Sequence, residues 1–257
     1  WNDKIAFISG FTPGKLLISL FSKGVFVFNP ATGEKQPFTI VDKETTTQLC
    51  NRGKSVNLYQ NTPNTVLLLG DHVYQYHLKE KKFDKVTGEE GKSIVGTLVP
   101  FKHENNRTYI NDFKHIYELH DGDSLLKTTF ECYQDTVISS ASHDEHGDFW
   151  IGSNFGLIHY NPVSQKQTHI PTNQFTEVNM VQCDQRGKVW IGADNLLFAW
   201  LIQEQKFVLF GESNGAIQNE YLPNARLVNN EGDVYIGGVK GMLRIDGQLL
   251  LNTSEMP

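Results

Sequence analysis

Short apolar runs alternate with polar turns along the C-terminal half of the chain. In residues 136–171, an alternating segment ends in a polar turn and the apolar run Phe-Trp-Ile-Gly follows at residues 149–152. Two more alternating segments come next, separated by turns rich in Gly, Asn and Pro. Alternation of this kind is typical of half-buried strands, and the segments lack helical periodicity with caps. The pattern predicts an antiparallel meander of four short strands.

The same pattern returns along the chain with an aromatic residue at its centre. Trp190 follows Trp150 by 40 residues, and Tyr235 follows Trp190 by 45 residues. Such regular spacing indicates that one structural unit is repeated. Three weaker upstream copies hold Tyr109, Leu68 and Leu17 in the aromatic position.

Glycines recur at fixed distances from this aromatic residue. Hairpin turns that need a positive φ favour glycine, and a glycine inside a strand allows a neighbouring backbone to approach closely. We therefore assign these glycines, with the aromatic residues, to the structural frame of the repeat. The first-hairpin glycines are Gly147, Gly187 and Gly232, the strand glycines are Gly152, Gly192 and Gly237, and the second-hairpin glycines are Gly156 and Gly241.

Repeats of about forty residues built from strands predict an all-β fold, a β-propeller of four-stranded antiparallel blades. A single twisted sheet cannot bury both of its faces, whereas radial repetition buries them between neighbours. We expect one propeller domain over residues 1–257, six- or seven-bladed or an incomplete ring. The six recognised blades cover about residues 4–40, 54–87, 93–131, 136–171, 176–211 and 221–252.

Composition narrows the function classes. The chain has 257 residues and a net charge of −6, without a long basic run, so the sequence does not favour nucleic-acid binding. It also lacks an apolar run of membrane-spanning length, a secretory signal and an initiator Met. We interpret it as a piece of a longer protein. Its three cysteines are too far apart in sequence for a zinc knuckle or a redox motif.

The motif D-x-x-G-x-hydrophobic-W-I-G, followed by G-L-x-x-Y-N-P, resembles the two-component regulator propeller repeat. Residues 144–166 match this repeat almost position by position, and residues 184–197 match in the first half, with Asn195 standing in for the second glycine. Residues 214–245 resemble the last blade of the second propeller in such sensors.

The resemblance implies a C-terminal propeller fragment from the periplasmic sensor region of a gut-bacterial hybrid two-component protein. Such a fragment is not itself an enzyme, needs no cofactor and responds to a small molecule or an oligosaccharide, most often a carbohydrate fragment. The implied partners are an adjoining propeller and a β-sandwich of the parent chain, with a histidine kinase beyond them, and a second copy in a homodimer. Nucleic acid and direct membrane contact are not expected.

Candidate metal and catalytic motifs are weak. The run His143–His146 has metal-binding residue types, but it coincides with the first hairpin turn of the fourth unit, and its side chains would point apart. Asp121 and Asp123 lack the remainder of a calcium loop. Neither a nucleophile elbow nor a phosphate-binding loop is present, so we expect no metal, no cofactor and no catalytic residues.

Antiparallel order places the second-hairpin turns and the links between blades on one face. The second-hairpin turns and the links differ in sequence from repeat to repeat, whereas the first-hairpin turns are similar. We therefore expect ligand-binding residues on the second-hairpin turns and the links. Aromatic rings would stack on a ligand, and amides and carboxylates would hydrogen-bond to it. The candidate ligand-binding residues are Asn154, Phe155, Asn173, Phe175, Asp194, Asn195, Asn219, Tyr221 and Lys240.

Two other functions fit a propeller. A metal-dependent lyase or lactonase would assemble its site at one mouth of the central channel from separate blades. A protein-interaction scaffold would expose an apolar patch on the rim. A stoichiometric bound divalent ion would favour the enzyme.

Overall fold

Strands account for almost all the regular structure in the computed structural model. The described part holds one short helical element, a 3-10 turn at Glu212–Asn214, and no helix there is long and apolar enough to cross a membrane. The chain divides into two compact units, unit 1 (Trp1–Ile138) and unit 2 (Ser139–Pro257). The structure describes residues 5–11, 14–20, 24–37, 57–62, 64–69, 73–80, 82–88, 99–103, 107–120, 125–133, 135–184 and 186–248.

Unit 1 is built from three successive groups of antiparallel strands. The first group consists of β1 (Ile5–Gly10), β2 (Leu16–Leu20), β3 (Gly24–Phe28) and β4 (Lys35–Pro37). The second consists of β5 (Asn57–Thr62), β6 (Thr65–Leu69), β7 (Val73–His77) and β8 (Lys82–Gly88). The third consists of β9 (Val99–His103), β10 (Arg107–Asn111), β11 (His115–His120) and β12 (Leu125–Glu131).

The second and third groups of unit 1 join through their last strands. β8 and β12 pair in parallel, with Leu125 opposite Thr87 and Leu126 opposite Gly88. The repeat pattern did not predict this pairing. It satisfies backbone groups at the edge of each group, where a last strand otherwise lacks a partner.

Unit 2 contains the strongest repeats and the most regular sheets. β13 (Ile138–His143), β14 (Phe149–Ser153), β15 (Gly156–Asn161) and β16 (Lys166–Ile170) form one four-stranded sheet. β17 (Met180–Cys183), β18 (Lys188–Ala193), β19 (Leu196–Leu201) and β20 (Lys206–Phe210) form the next. β21 (Tyr221–Val228), β22 (Val234–Gly238) and β23 (Gly241–Ile245) follow as an antiparallel meander, and residues 249–252 of the sixth expected blade lie outside the described residues.

The repeat aromatics occupy equivalent places in these three sheets. Trp150, Trp190 and Tyr235 lie on β14, β18 and β22, the second strand of each sheet. Their exposed fractions are 3%, 1% and 3%, so all three are core residues. Trp190 meets Phe210 edge-to-face, with ring centroids 5.2 Å apart. Trp150 and Trp190 also belong to core clusters that include residues of the following sheet, so the aromatic position of these two repeats fills the space between sheets.

Neighbouring sheets of unit 2 approach closely at the strand glycines. A Cβ atom on Gly152 would lie 2.6 Å from Cγ1 of Val178 and 2.9 Å from Cγ2 of Val181, both on or beside β17. A Cβ atom on Gly192 would lie 2.7 Å from Cβ of Tyr221 on β21. Only glycine fits such a separation without a shift of the neighbouring sheet.

Two serines of β13 hold the first strand of the next sheet. Ser140 Oγ accepts a hydrogen bond from the Val181 amide at 3.2 Å, and Ser142 Oγ accepts one from the Cys183 amide at 3.1 Å. Both hydroxyls are buried. Side chains of one sheet thus satisfy backbone donors of the next, which fixes the register between β13 and β17.

Arg226 of β21 extends this network over three successive first strands. Its side chain is 7% exposed and donates to Gln182 Oε1 on β17 at 3.1 Å. It also donates to the carbonyl of Ala141 on β13 and to that of Pro223 at 2.7 Å. The first strands of the three sheets in unit 2 are therefore linked by one guanidinium group.

Replacement of Gly152 by alanine tests the close approach of the sheets. The added methyl group would overlap Val178, so we expect a loss of about 1–3 kcal/mol in the free energy of unfolding, measured by urea denaturation. Gly211→Ala is the matched control, because nothing lies within 4 Å of a Cβ atom built there. Equal stability of the two variants would contradict the packing described here.

Candidate ligand-binding site

The second-hairpin turns and the links between sheets share one face of unit 2, which we call the turn face. The amide of Val178, in the link before β17, donates to the Ser153 carbonyl at 3.0 Å. The amide of Asn219, in the link before β21, donates to the Asn195 carbonyl at 2.9 Å. Each link is therefore hydrogen-bonded to the second hairpin of the preceding sheet.

The β18–β19 turn explains why Asp and Asn replace glycine in the fifth repeat. Asp194 and Asn195 have φ values of 50° and 63°, the left-handed conformation at both central positions of a two-residue hairpin. Asp and Asn tolerate this conformation better than other residues with a Cβ atom. Both side chains are exposed, so the turn presents a carboxylate and an amide to solvent.

Four further candidates also have exposed or partly exposed side chains on the turn face. Phe155 is 59% exposed at the tip of the β14–β15 turn, and Asn154 beside it is half-buried. Asn173 lies exposed in the link before β17, and Lys240 lies exposed in the β22–β23 turn. The turn face thus combines an aromatic ring, amides, a carboxylate and a cation.

Three candidates from the sequence are buried. Phe175 is 4% exposed and packs against Phe198 and Phe207, with ring centroids 5.0 Å and 5.3 Å away. Tyr221 is 2% exposed, and burial raises the pKa of its hydroxyl, which donates to the Ile217 carbonyl at 2.9 Å. These rings fill the core and leave no open face for stacking.

Asn219 is the third buried candidate. Its side chain is 3% exposed, and its Oδ1 accepts a hydrogen bond from the Lys240 amide at 2.9 Å. This hydrogen bond connects the link before β21 to the β22–β23 turn. Burial thus reduces the surface candidates in unit 2 to Asn154, Phe155, Asn173, Asp194, Asn195 and Lys240.

The opposite face of unit 2 is formed by the first hairpins, whose turns are alike. Asp144, Asp184 and Asn229 occupy the same position in the three repeats. In each, Oδ1 accepts the backbone N–H groups of the residues two and four positions later, at 2.8–3.1 Å. Asp144 also accepts a hydrogen bond from Trp150 Nε1 at 2.9 Å. These residues stabilise the turn, as side-chain oxygens of Asp and Asn commonly do.

The glycines of these turns complete the arrangement. Gly147, Gly187 and Gly232 have φ values of 84°, 82° and 88°, where residues with a Cβ atom are strained. The capping Asp or Asn and the glycine with positive φ limit which residues each first-hairpin turn can contain. This accounts for the similar sequences of these turns.

One group of metal-ligating residue types occurs on this opposite face. Asp144, Asp148 and His159 each offer a ligand atom within 4.8 Å of the others. His159 Nε2 lies 2.8 Å from Asp148 Oδ2, and its ring stacks on Trp150 at 4.6 Å. All three side chains have protein partners, which is the arrangement of a structural cluster.

The sixth repeat supports this structural interpretation. At the positions of Asp148 and His159 it carries Asp233 and Arg244, whose carboxylate and guanidinium groups lie 2.6 Å apart. An acidic and a basic side chain therefore meet across these two strands in the fourth and sixth repeats, whereas the fifth carries Lys188 and Ala199 at the same positions. The run His143–His146 does not converge either, since His143 is buried and its Nδ1 lies 3.1 Å from the Asp144 carbonyl, whereas His146 is 75% exposed.

Solved structures with this fold include extracellular domains of signalling proteins from B. thetaiotaomicron. The extracellular domain of the hybrid two-component system BT4673 is 15% identical, with a TM-score of 0.64 over 93% of this chain and 32% of that one. The corresponding domain of BT3049 is 15% identical, with a TM-score of 0.59 over 100% of this chain and 40% of that one. The chain therefore spans about a third of these domains.

A different protein matches over nearly its whole length. YCF48 from Cyanidioschyzon merolae is 9% identical, with a TM-score of 0.68 over 95% of this chain and 96% of that one. No family model matches the chain, and no curated protein matches it in sequence. At these identities the likeness establishes the fold: the all-β, propeller prediction is confirmed, and so is the expected similarity to sensor propellers.

The Asp233–Arg244 pair makes the stability of unit 2 depend on pH. Burial alone would raise the pKa of the Asp233 carboxyl, but hydrogen bonds from Gly247, Arg244 and Asn229 outweigh it and hold the pKa below its usual 3.8. A lowered pKa in the folded state adds stability above about pH 4, and this is lost as the pH falls through the folded value.

We expect Asp233→Asn to unfold at lower urea concentration than the unsubstituted chain at pH 7, with the gap narrowing at acid pH, once the pH has fallen through the lowered pKa of Asp233. Asp246→Asn, in an exposed turn nearby, is the control and should change little at either pH. A gap of the same size at both pH values would show that the charge of Asp233 is not what stabilises the fold.

Proposed function

We propose that the chain is a non-enzymatic sensing module that binds a carbohydrate fragment outside the cytoplasmic membrane. The observation that carries the proposal is the turn face of unit 2, where side chains suited to sugars lie on variable turns of a constant frame. The similarity in fold to extracellular domains of two hybrid two-component systems supports the same assignment.

The side chains of the turn face match the chemistry of sugars. A sugar ring has an apolar face that stacks on an aromatic ring such as Phe155. Its hydroxyl groups donate to carboxylates and exchange hydrogen bonds with amides, which Asp194, Asn195 and Asn154 supply. Lys240 adds a cation that suits an acidic substituent. A site of this type needs no metal and no nucleophile.

The proposal also includes the setting of the module. In a periplasmic receptor, the remainder of the sensor region would supply the adjoining propeller and a β-sandwich, and a histidine kinase would receive the signal. The chain spans 32% of the BT4673 domain, so such a receptor has ample length for these parts. A second copy of the receptor would complete a dimer.

Replacement of Phe155 and Lys240 by alanine, together with Asp194→Asn, tests the turn face. All three side chains are exposed, and Asn tolerates the φ of 50° at position 194, so the fold should be retained. We expect binding to an array of oligosaccharides to weaken by at least about tenfold, because a stacking surface and two charges are lost.

Val163→Ala provides the control for this experiment. Val163 is 93% exposed in the turn between β15 and β16, away from the turn face. This variant should bind as the unsubstituted chain does. Undiminished binding by the folded triple variant would remove the turn face of unit 2 from consideration.

A further inference from the structure

A network of polar side chains surrounds the β10–β11 turn of unit 1, outside the residues singled out in the sequence. Asp112 Oδ1 accepts the amides of Lys114 and His115 at 2.8 Å and 2.7 Å. Asp112 Oδ2 accepts the hydroxyl of Tyr117 at 2.8 Å. Burial, together with the nearby Asp112 carboxylate, raises the pKa of Tyr117, so its hydroxyl keeps its proton and donates it.

The network fixes the orientation of the His115 ring. His115 Nδ1 lies 3.2 Å from Asp112 Oδ1 and 3.1 Å from the Tyr117 hydroxyl oxygen. A carboxylate accepts hydrogen bonds, and the Tyr117 hydroxyl donates its proton to Asp112, so both neighbours of Nδ1 act as acceptors. In the neutral ring the proton is therefore on Nδ1, which leaves a lone pair on Nε2. Nε2 lies 3.8 Å from Glu131 Oε1. Two hydrogen-bond acceptors thus lie side by side at the surface.

Two exposed aromatic residues are near these acceptors in sequence: Phe113 is two residues before His115, and Tyr133 is two residues after Glu131. Phe113, at the tip of the same turn, is 48% exposed, and Tyr133 is 75% exposed. The Phe113 carbonyl accepts the Ile138 amide at 2.8 Å, and the Lys114 carbonyl accepts the Cys132 amide at 2.9 Å. These backbone hydrogen bonds hold the segment that carries Tyr133 against the β10–β11 turn.

The exposed rings of Phe113 and Tyr133 offer apolar surface that a ligand can cover. The two acceptors, 3.8 Å apart, have a spacing that suits a pair of neighbouring donors. Hydroxyl groups on adjacent carbons of a sugar ring are such a pair, and the carbon-bound face of the same ring is apolar. The aromatic rings and the two acceptors are therefore complementary to one ligand.

We infer that this region of unit 1 is a binding site for a neutral sugar, which stacks on Tyr133, the more exposed of the two rings, and donates two adjacent hydroxyls to His115 Nε2 and Glu131. Asp112 and Tyr117 are positioning residues, since they act through His115. The inference takes its ligand class in part from the proposed function and assigns a site to residues of unit 1.

The test uses the purified 257-residue chain on an array of neutral oligosaccharides of glucose, xylose, arabinose, mannose and galactose. Tyr133→Ala should weaken binding at least about tenfold, through loss of the stacking surface. Tyr133→Phe keeps the ring and should bind like the unsubstituted chain. Glu131→Gln, which replaces one acceptor by an amide, should weaken binding without a change in thermal stability.

The outcomes separate this inference from the proposed function. If Tyr133→Ala binds as the unsubstituted chain does while Phe155→Ala loses binding, the unit 1 site is refuted and the turn face of unit 2 stands. If Tyr133→Ala alone loses binding, the unit 1 site is supported. Equal losses in Tyr133→Ala and Tyr133→Phe would contradict stacking, and an array that captures no unsubstituted chain would refute both sites.

Discussion

Each four-stranded sheet of unit 2 has two apolar faces, and both must be covered by a neighbouring sheet. This requirement determines most of the features seen there. Trp150 and Trp190 fill the space between sheets, and Gly152 and Gly192 let the sheets approach to the distance at which those rings make contact. The buried hydroxyls of Ser140 and Ser142 satisfy amides of the next sheet.

The same packing separates residues that hold the fold from residues that are free to vary. First-hairpin turns need a capping Asp or Asn and a glycine with positive φ, so their sequences are alike in the three strong repeats. Second-hairpin turns need only a compact hairpin, which Asn154–Phe155 and Asp194–Asn195 both provide. The latter pair adopts the required left-handed conformation without glycine. Recognition chemistry can therefore be placed on these turns at little cost in stability.

The sequence predicted the strand meander, the repeat and the structural role of Trp150, Trp190 and Tyr235 because periodicity and spacing depend on local physics. It also placed the second-hairpin turns and the links together. It did not distinguish exposed from buried residues in the expected links, since Phe175 lies in a link and Tyr221 begins β21, yet both rings are buried in the core. Burial there depends on the neighbouring sheet, which no single repeat encodes.

Other features could not be predicted from the sequence, because they depend on the three-dimensional arrangement of the chain. Asp112 and His115 were not expected to act together, because their contact depends on the conformation of the β10–β11 turn and on Tyr117. The parallel pairing of β8 with β12 joins strands separated by a long stretch of chain, and strand alternation does not specify it. Positions 249–252, where the end of the last blade was expected, lie outside the described residues.

The central claim is that variable turns on a constant frame bind the ligand. Hydrogen–deuterium exchange of the chain, with and without an oligosaccharide that it binds, tests this claim most directly. Our account predicts slower exchange in the ligand-bound chain at residues 153–156, 193–196 and 238–241, or at residues 112–115 and 131–133, with the first hairpins unchanged. Slower exchange confined to the first-hairpin turns at residues 144–148, 184–188 and 229–233 would contradict it.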